Sequence, residues 1–269
     1  MKRNGKLPMK IYIHTDAEGI SGIYCLDQLR PDGRDFADAR RLIMADMNAA
    51  VDAAFDAGAT EVVVCDTHAM GGQLLPFEMD PRATYTTPGA GNPLPWLDES
   101  FGGIVLLGHH ARAGTLNAFL DHTMSSRFWF ECRINGHPVG EIAIEAAWAG
   151  HHGVPVIAVS GDARAAAEAR ADLGDVECAI VKWAVARNRA RVLPTEAAHA
   201  EIRRAVSHAV KRRLAGGFQP FRPTLPATVE LTLQRTDTAD DMAARPGTER
   251  VDGRTIRRVV QSLTDICKW

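Results

Sequence analysis

Three short apolar segments of this chain each run into acidic or histidine side chains. They are IYIHTDAEG (11–19), EVVVCDTH (61–68) and GIVLLGHH (103–110). Continuous apolar runs of this length are typical of buried strands in an open α/β sheet, and such sheets bind ligands at the carboxyl ends of their strands. Aspartate, glutamate and histidine are metal-ligand residue types, so we expect a metal site assembled from distant parts of the chain.

The bulk properties limit the classes of protein to consider. At 269 residues the chain suits one large α/β domain, or a main domain with a smaller one attached. A formal net charge of −2 gives no general reason to expect nucleic-acid or membrane partners, and no segment has the roughly 18 uninterrupted apolar residues that span a bilayer. The five cysteines are scattered without a CxxC pair, which favours reduced thiols and a cytoplasmic protein.

Hydrophobic periodicity predicts an α/β fold with a mostly parallel sheet flanked by helices. The opening is typical of a strand (10–15), a helix (36–57) and a strand (60–65), which favours a parallel pair with a right-handed crossover. Further along we predict strands at 84–86, 103–108, 128–134, 154–160, 178–181 and 228–234, helices at 141–149, 162–171 and 195–214, and a hairpin turn at 135–136. Because prolines mark a linker after residue 216, we expect an α/β domain at 1–216 and a smaller C-terminal α+β subdomain at 217–269 packed on it.

The first predicted strand is followed by two carboxylates, Asp16 and Glu18. Alternation along an extended chain places both side chains on the same side, and Gly19 permits a sharp turn after them. Taken alone, such a pair is more often a solvated acidic turn than a ligand site.

The second and third predicted strands are followed by histidines. Asp66 and His68 close the second strand, where Asp66 is also a good N-cap and His68 an ordinary surface residue. His109 and His110 end the third strand, and adjacent side chains on a strand point to opposite faces, so at most one of them faces a shared site. We assign His110 to the site, and His109 to packing or to supporting a ligand residue.

Two further residues complete the candidate set. His122 follows in the loop DHT, and Glu141 begins a helix, where the helix dipole alone also favours a carboxylate. Three carboxylates and two histidines suit a pair of divalent cations, zinc above all, with manganese or cobalt as alternatives. Two such ions would lower the pKa of a bridging water and polarise a carbonyl, and His122, if not a ligand, would transfer protons.

Sequence signatures of other catalytic machinery are missing. The chain has no G-x-S-x-G elbow, no P-loop, no G-x-G-x-x-G and no HExxH. His199 and His208 lie on the Arg-rich polar side of a predicted helix, and we expect both to be solvated. The sequence therefore favours metal-dependent hydrolysis.

Taken in order along the chain, these segments resemble the motifs of the M55 metallopeptidases, the DppA-like D-aminopeptidases. The family motifs S-x-D-x-E-G, D-S-H, G-Y-H-A-R, S-H-S-M and I-N-x-x-P-V-G-E correspond here to residues 14–19, 66–68, 108–112, 121–124 and 134–141. The resemblance runs from about residue 10 to residue 194 and is looser beyond it.

The resemblance implies a set of roles for the candidate residues. The implied two-zinc site is formed by Asp16, Glu18, His68, His110 and Glu141, with Asp16 bridging the ions. His122 would then be the catalytic histidine. The family also implies an aminopeptidase acting on small peptides, and self-association into a ring-like homo-oligomer with the sites inside.

The chain departs from the family motifs close to the implied ions. His14 replaces the motif serine, His109 replaces the tyrosine, and the loop between His110 and His122 is one residue longer. His14, Asp66 and His109 are therefore candidates for supporting a ligand residue or contacting substrate, although a His14 that faces away from the site is an equal alternative. These departures leave two other hypotheses open: a binuclear metal amidase acting on a non-peptide amide or acyl derivative, and a non-catalytic metal-binding ring protein.

Overall fold

The computed structural model describes residues 8–89 and 91–269, which form two sheets with helices packed against them. In chain order the strands are β1 (Lys10–Thr15), β2 (Glu61–Asp66), β3 (Thr84–Thr86), β4 (Phe101–His109), β5 (Trp129–Ile134), β6 (His137–Val139), β7 (Val156–Asp162), β8 (Glu177–Ala186), β9 (Arg189–Val192), β10 (Ala227–Leu233), β11 (Glu249–Arg250) and β12 (Thr255–Val260). The longer helices are α1 (Phe36–Asp56), α2 (Glu141–His151), α3 (Ala163–Leu173), α4 (Thr195–Leu214) and α5 (Thr236–Ala243). Single helical turns cover Leu26–Leu29, His68–Met70, Pro76–Glu78 and Leu263–Asp265.

The larger sheet confirms the predicted mostly parallel α/β fold. Its strand order is β3-β2-β1-β4-β7-β8-β9, and each neighbouring pair is parallel except β8 with β9. Strand β1 lies between β2 and β4, with Thr15 in register with Asp66 on one side and Leu107 on the other. The polar segments that follow these three strands therefore emerge side by side at one edge of the sheet.

Helices cover both faces of this sheet. Alternate residues of β1 pack in opposite directions: Ile11 and Ile13 join the core formed with α1 and α4, while Tyr12 joins the core formed with α2 and α3. A parallel sheet buried on both faces needs such continuous apolar strands, which is why β1, β2 and β4 were recognisable from the sequence.

Helix α2 lies between the two sheets. Ile142 and Ala146 pack into the core of the larger sheet, while Ala143 and Ala147 pack into the core of the smaller one. A helix that is apolar on nearly all sides is expected to be buried. Its first residue, Glu141, is thus carried on an element that is held from two directions.

The smaller sheet is antiparallel, with the order β11-β12-β10-β5-β6. Its strands β5 and β6 come from before residue 216, so the sheet joins the middle of the chain to its C-terminal part. The division into domains at 1–216 and 217–269 stays a prediction. Strand β9 and helix α5 were not predicted, because four and eight residues are too short for their periodicity to distinguish them from loop.

The described helices have no membrane-spanning candidate: within residues 8–89 and 91–269, none is both long enough and apolar enough to cross a bilayer.

Candidate metal centre

The segment that carries Asp16 and Glu18 is bound to the end of β4. The backbone N–H of Asp16 donates to the carbonyl of Leu107 (2.9 Å), and that of Gly19 donates to the carbonyl of Gly108 (2.7 Å). A Cβ at Gly19 would lie 2.2 Å from the carbonyl oxygen of His109, so only glycine fits this close approach. The two carboxylates are consequently turned inward, and each residue is only 7% exposed.

His68 faces both of these carboxylates. Its Nδ1 lies 3.1 Å from Oδ1 of Asp16 and 3.1 Å from Oε2 of Glu18. The loop that carries His68 is held by the buried Asp66, whose Oδ2 accepts hydrogen bonds from the backbone N–H groups of Gly72 (2.8 Å) and Gln73 (2.7 Å). Asp66 therefore positions the loop of His68.

His110 approaches Asp16 from the other side. Its Nδ1–H donates to the carbonyl of Ala111 (3.0 Å), which leaves Nε2 directed at Oδ2 of Asp16 and Oε1 of Glu141, both at 3.3 Å. Glu141 reaches this point from the N-terminus of α2, and its Oε1 also accepts the backbone N–H of Met124 (2.7 Å). The five predicted ligand residues thus lie together, with the carboxylate of Asp16 at the centre.

His122 lies at the edge of the same cluster. Its ring stacks on that of His110 with centroids 4.0 Å apart, and its Nε2 lies 3.6 Å from Oε1 of Glu141. Its Nδ1–H donates to the carbonyl of Leu120 (2.8 Å), so the lone pair is on Nε2 and faces the cluster.

His14 and His109 contact a different carboxylate, that of Glu145. The Nε2 of His109 lies 2.7 Å from Oε2 of Glu145, and the Nδ1 of His14 lies 3.3 Å from the same oxygen. His109 and His110 point in opposite directions, as alternation on a strand requires. Glu145 was missed in the sequence, although it lies one helical turn after Glu141 and so shares its face of α2.

Neighbouring acidic and histidine side chains in the cluster shift one another's pKa values. Burial by itself would raise the pKa of Asp16, but the neighbouring imidazoles of His110 and His68 outweigh it and hold the pKa well below its usual range. Burial opposes the charged form of His68, yet Glu18 and Asp16 raise its pKa to about 11. Likewise, the neighbouring His110 brings the pKa of the buried Glu141 down to about 2. Asp16 and Glu141 thus stay ionised and require positive charge beside them.

Two buried atoms at the centre have no hydrogen-bond partner among the described residues: Oδ2 of Asp16 and Nε2 of His110. Unpaired buried polar atoms are costly, and a carboxylate oxygen facing an imidazole nitrogen is a donor set that suits zinc. Asp16, Glu18 and His110 offer donor atoms within 4.8 Å of one another, and so do His110, His122 and Glu141. The residues therefore fit a divalent cation, and Asp16, Glu18, His68, His122 and Glu141 line a cavity of about 620 Å³.

Lys182 is a further residue of the site that sequence reasoning missed. It is fully buried, and its Nζ donates to the backbone carbonyls of Glu18 (2.7 Å) and Ile23 (2.6 Å). The signal was a single charged residue inside an apolar segment of β8. Burial lowers the pKa of this amine to about 7, although nearby carboxylates oppose the shift.

The expectation that His199 is solvated was wrong. Its Nε2 lies 3.1 Å from Oδ1 of the fully buried Asp46, which also accepts hydrogen bonds from the backbone N–H and the hydroxyl of Ser21. His208 is exposed, as expected. The two residues differ because only His199 meets the neighbouring helix α1.

Comparison with known proteins identifies the family. The model of the M55 peptidase family, described as D-aminopeptidase, matches residues 9–269. A D-aminopeptidase of Bacillus subtilis (strain 168) is 30% identical over 254 residues, covering 92% of this chain and 89% of the relative. The structure is similar to that of the Zn-dependent D-aminopeptidase DppA from Bacillus subtilis, a self-compartmentalizing protease, with a TM-score of 0.91 at 28% identity over 96% of this chain and 94% of that one. The chain belongs to the M55 peptidase family and is an enzyme of that family.

Proposed function

We propose that this chain is a zinc-dependent aminopeptidase that hydrolyses the N-terminal amide bond of small peptides or aminoacyl amides. The similar proteins are D-aminopeptidases, and the one whose solved structure is similar is described as Zn-dependent. The proposed ligands of two zinc ions are Asp16, Glu18, His68, His110 and Glu141, with manganese or cobalt as alternative ions.

The observation that carries the proposal is the position of Asp16 between two histidines. Its Oδ1 faces His68 and its Oδ2 faces His110, so each oxygen belongs to a separate group of donors. Glu18 completes the first group and Glu141 the second. This arrangement supports a bridging role for Asp16.

The chain's own residues divide the work of amide hydrolysis. Divalent cations at such a site supply Lewis-acid polarisation of a carbonyl and lower the pKa of a water molecule. His122 is held by the Leu120 carbonyl with its Nε2 lone pair facing the cavity, so Nε2 accepts a proton during attack and returns it to the leaving amine. Glu141, 3.6 Å from Nε2, favours the protonated imidazolium between these two transfers.

A specific observation favours a second candidate function. His14 and Glu145 line the same cavity as the proposed ligands Asp16 and Glu141, and the family motif has serine where this chain has His14. The alternative is therefore a binuclear metal amidase that acts on a non-peptide amide or acyl derivative.

A substrate panel combined with metal analysis separates these functions. The purified protein is assayed on matched D- and L-aminoacyl amides, on dipeptides, and on simple carboxamides without an α-amino group, and its zinc content is measured alongside. Turnover only of substrates with a free α-amino group supports the aminopeptidase, and the D/L ratio gives the chirality. Turnover only of the simple carboxamides would refute the aminopeptidase and support the amidase. Zinc binding without any hydrolysis would support a non-catalytic metal protein.

We also propose that the chain forms a ring-like homo-oligomer in the cytoplasm. The similar solved structure is of a self-compartmentalizing protease, and large apolar side chains such as Phe77, Trp96 and Leu116 are exposed on this chain alone. The free cysteines agree with a reducing compartment. Light scattering after size-exclusion chromatography should give a mass several times that of one chain, and a monomer would refute the assembly.

A further inference from the structure

We propose that His14, His109 and Glu145 form a third cation site beside the zinc pair, suited to zinc or a similar divalent transition metal. Two imidazoles and one carboxylate are a ligand set of open zinc sites. The site has no ligand in common with the proposed pair, so the two proposals can fail separately.

The donor atoms already lie close together. Oε2 of Glu145 is 2.7 Å from Nε2 of His109 and 3.3 Å from Nδ1 of His14. The two imidazole rings have centroids 5.4 Å apart, and one donor atom from each of the three residues lies within 4.8 Å of the others. Ligands of a tetrahedral zinc ion are about 3.3 Å apart when each bond is about 2.0–2.1 Å long, so small side-chain movements would suffice.

The group is buried but incompletely hydrogen-bonded. His14 is 1% exposed, His109 is 0% exposed and Glu145 is 6% exposed. Among the residues that the structure describes, neither nitrogen of His14 forms a hydrogen bond, since its Nδ1 is 3.3 Å from Oε2 of Glu145 but not aligned for one, and Nδ1 of His109 also forms none. A buried imidazole with both nitrogens unpaired is expected to have a ligand or an ordered water, since nearly all buried polar atoms are satisfied.

The three elements β1, β4 and α2 supply ligands to the proposed zinc pair, and each also supplies one residue of the third site from a nearby position. The segment at the end of β1 contributes Asp16 to the pair and His14 to the third site, two residues earlier on the same side. Helix α2 contributes Glu141 to the pair and Glu145 to the third site, one turn later on the same face. The end of β4 supplies His110 to the pair, and the adjacent His109, whose side chain points in the opposite direction, supplies the third site. The elements that position one set of donors therefore also position the other.

The third site is open toward the substrate cavity. His14 and Glu145 line the cavity of about 620 Å³, together with Glu141 and His122. With three protein donors, a tetrahedral ion keeps one position for an outside ligand. The chemical class that fits this position is an oxygen donor, such as a water molecule or a carbonyl or carboxylate oxygen of the substrate.

The sequence supplies the variants for a test. His14 and His109 stand where the family motifs have serine and tyrosine, so His14→Ser and His109→Tyr restore the motif residues while removing an imidazole. His137→Ser is the matched control, because His137 also pairs with a carboxylate (Asp172, 3.1 Å) but lies outside the cavity. Each full-length protein is equilibrated at a buffered free zinc concentration, its zinc content is measured, and its fold is checked by circular dichroism.

The expected zinc content is about three ions per chain for the unmodified protein and for His137→Ser, and about two for His14→Ser and His109→Tyr. Crystals of the unmodified protein should also give an anomalous zinc peak between His14, His109 and Glu145, a readout that requires no variant to fold. A content of about two at saturating zinc, or a water at that position without anomalous signal, would overturn the third site while leaving the pair intact. An anomalous peak at the third site alone would support it and refute the pair.

Discussion

His110 and His122 receive their roles from single backbone hydrogen bonds. Each donates its Nδ1–H to a nearby carbonyl, which orients the ring and leaves Nε2 for a ligand or a proton. His68 instead turns its Nδ1 toward Asp16 and Glu18. The three histidines thus differ in which ring nitrogen faces the cluster.

At His122, we expect substitution to separate chemistry from metal binding. His122→Ala should lower kcat by roughly 10²- to 10⁴-fold, because a positioned proton-transfer group is lost, while the zinc content is retained. Steady-state kinetics and metal analysis check this together. His208→Ala, an exposed histidine on α4, is the control and should behave like the unmodified protein. Loss of zinc in His122→Ala would instead identify His122 as a ligand.

Lys182 gives a prediction for the pH dependence of stability. Its pKa is about 7 in the folded chain against 10.5 for the ordinary group. Between these values the unfolded chain binds more protons than the folded chain, so this residue makes the free energy of unfolding rise with pH, by up to about 1.4 kcal/mol per pH unit. Below pH 7 the cost of the buried charge is fully present.

The measurement compares Lys182→Met with the unmodified protein by chemical denaturation between pH 7 and pH 9. The variant lacks this titration. As the pH rises, the free energy of unfolding of the unmodified chain should therefore increase relative to that of Lys182→Met. Parallel pH profiles would show that Lys182 keeps an ordinary pKa in the folded state.

At the scale of elements, β1, β4 and α2 bring the donors together. The two strands run side by side, and α2 is buried between the sheets so that its N-terminal turn points Glu141 at their ends. The apolar strands and the helix starting at Glu141 were predictable, because their periodicity is local. Glu145 and Lys182 were not, because a charged residue inside an apolar element reveals its partner only once the elements pack.

Gly19, which follows β1, lies so close to the end of β4 that adding one methyl group should lower the stability of the protein. Gly19→Ala places a Cβ within 2.2 Å of the carbonyl oxygen of His109, so the two strand ends must separate. We expect a loss of stability of about 1–3 kcal/mol and weaker zinc binding, measured by thermal unfolding and metal titration. Gly253→Ala is the control, since its nearest new contact is 3.9 Å away. Equal effects of both substitutions would contradict the special role of this contact.

At the scale of the whole molecule, the proposed ions connect segments that are far apart in the chain. The ligands extend from Asp16 to Glu141 and come from the ends of three strands and one helix. A ligand that binds only the folded state stabilises it, by about 4 kcal/mol at a thousand times its Kd. Metal binding at this site should therefore contribute to folding as well as to catalysis.

Removal of metal tests this contribution. Dialysis against a chelator should lower the Tm by several degrees, and added zinc should restore it, as followed by calorimetry. The variant Asp16→Asn, which weakens the carboxylate at the centre, should respond less to the chelator. An unchanged Tm after complete removal of zinc would mean that the folded state does not depend on the ions.

The amino-acid sequence by itself determined the α/β class, most of the strands and helices of the larger sheet, and the positions of acidic and histidine residues after the strands. These follow from local periodicity and from strand alternation, which need no knowledge of distant contacts. Only the tertiary structure decided that β5 and β6 join the C-terminal sheet, that His199 meets Asp46, and that His14 and His109 share Glu145. The physical reason is that contacts between residues distant in the chain depend on how whole elements pack, and no local pattern encodes that packing.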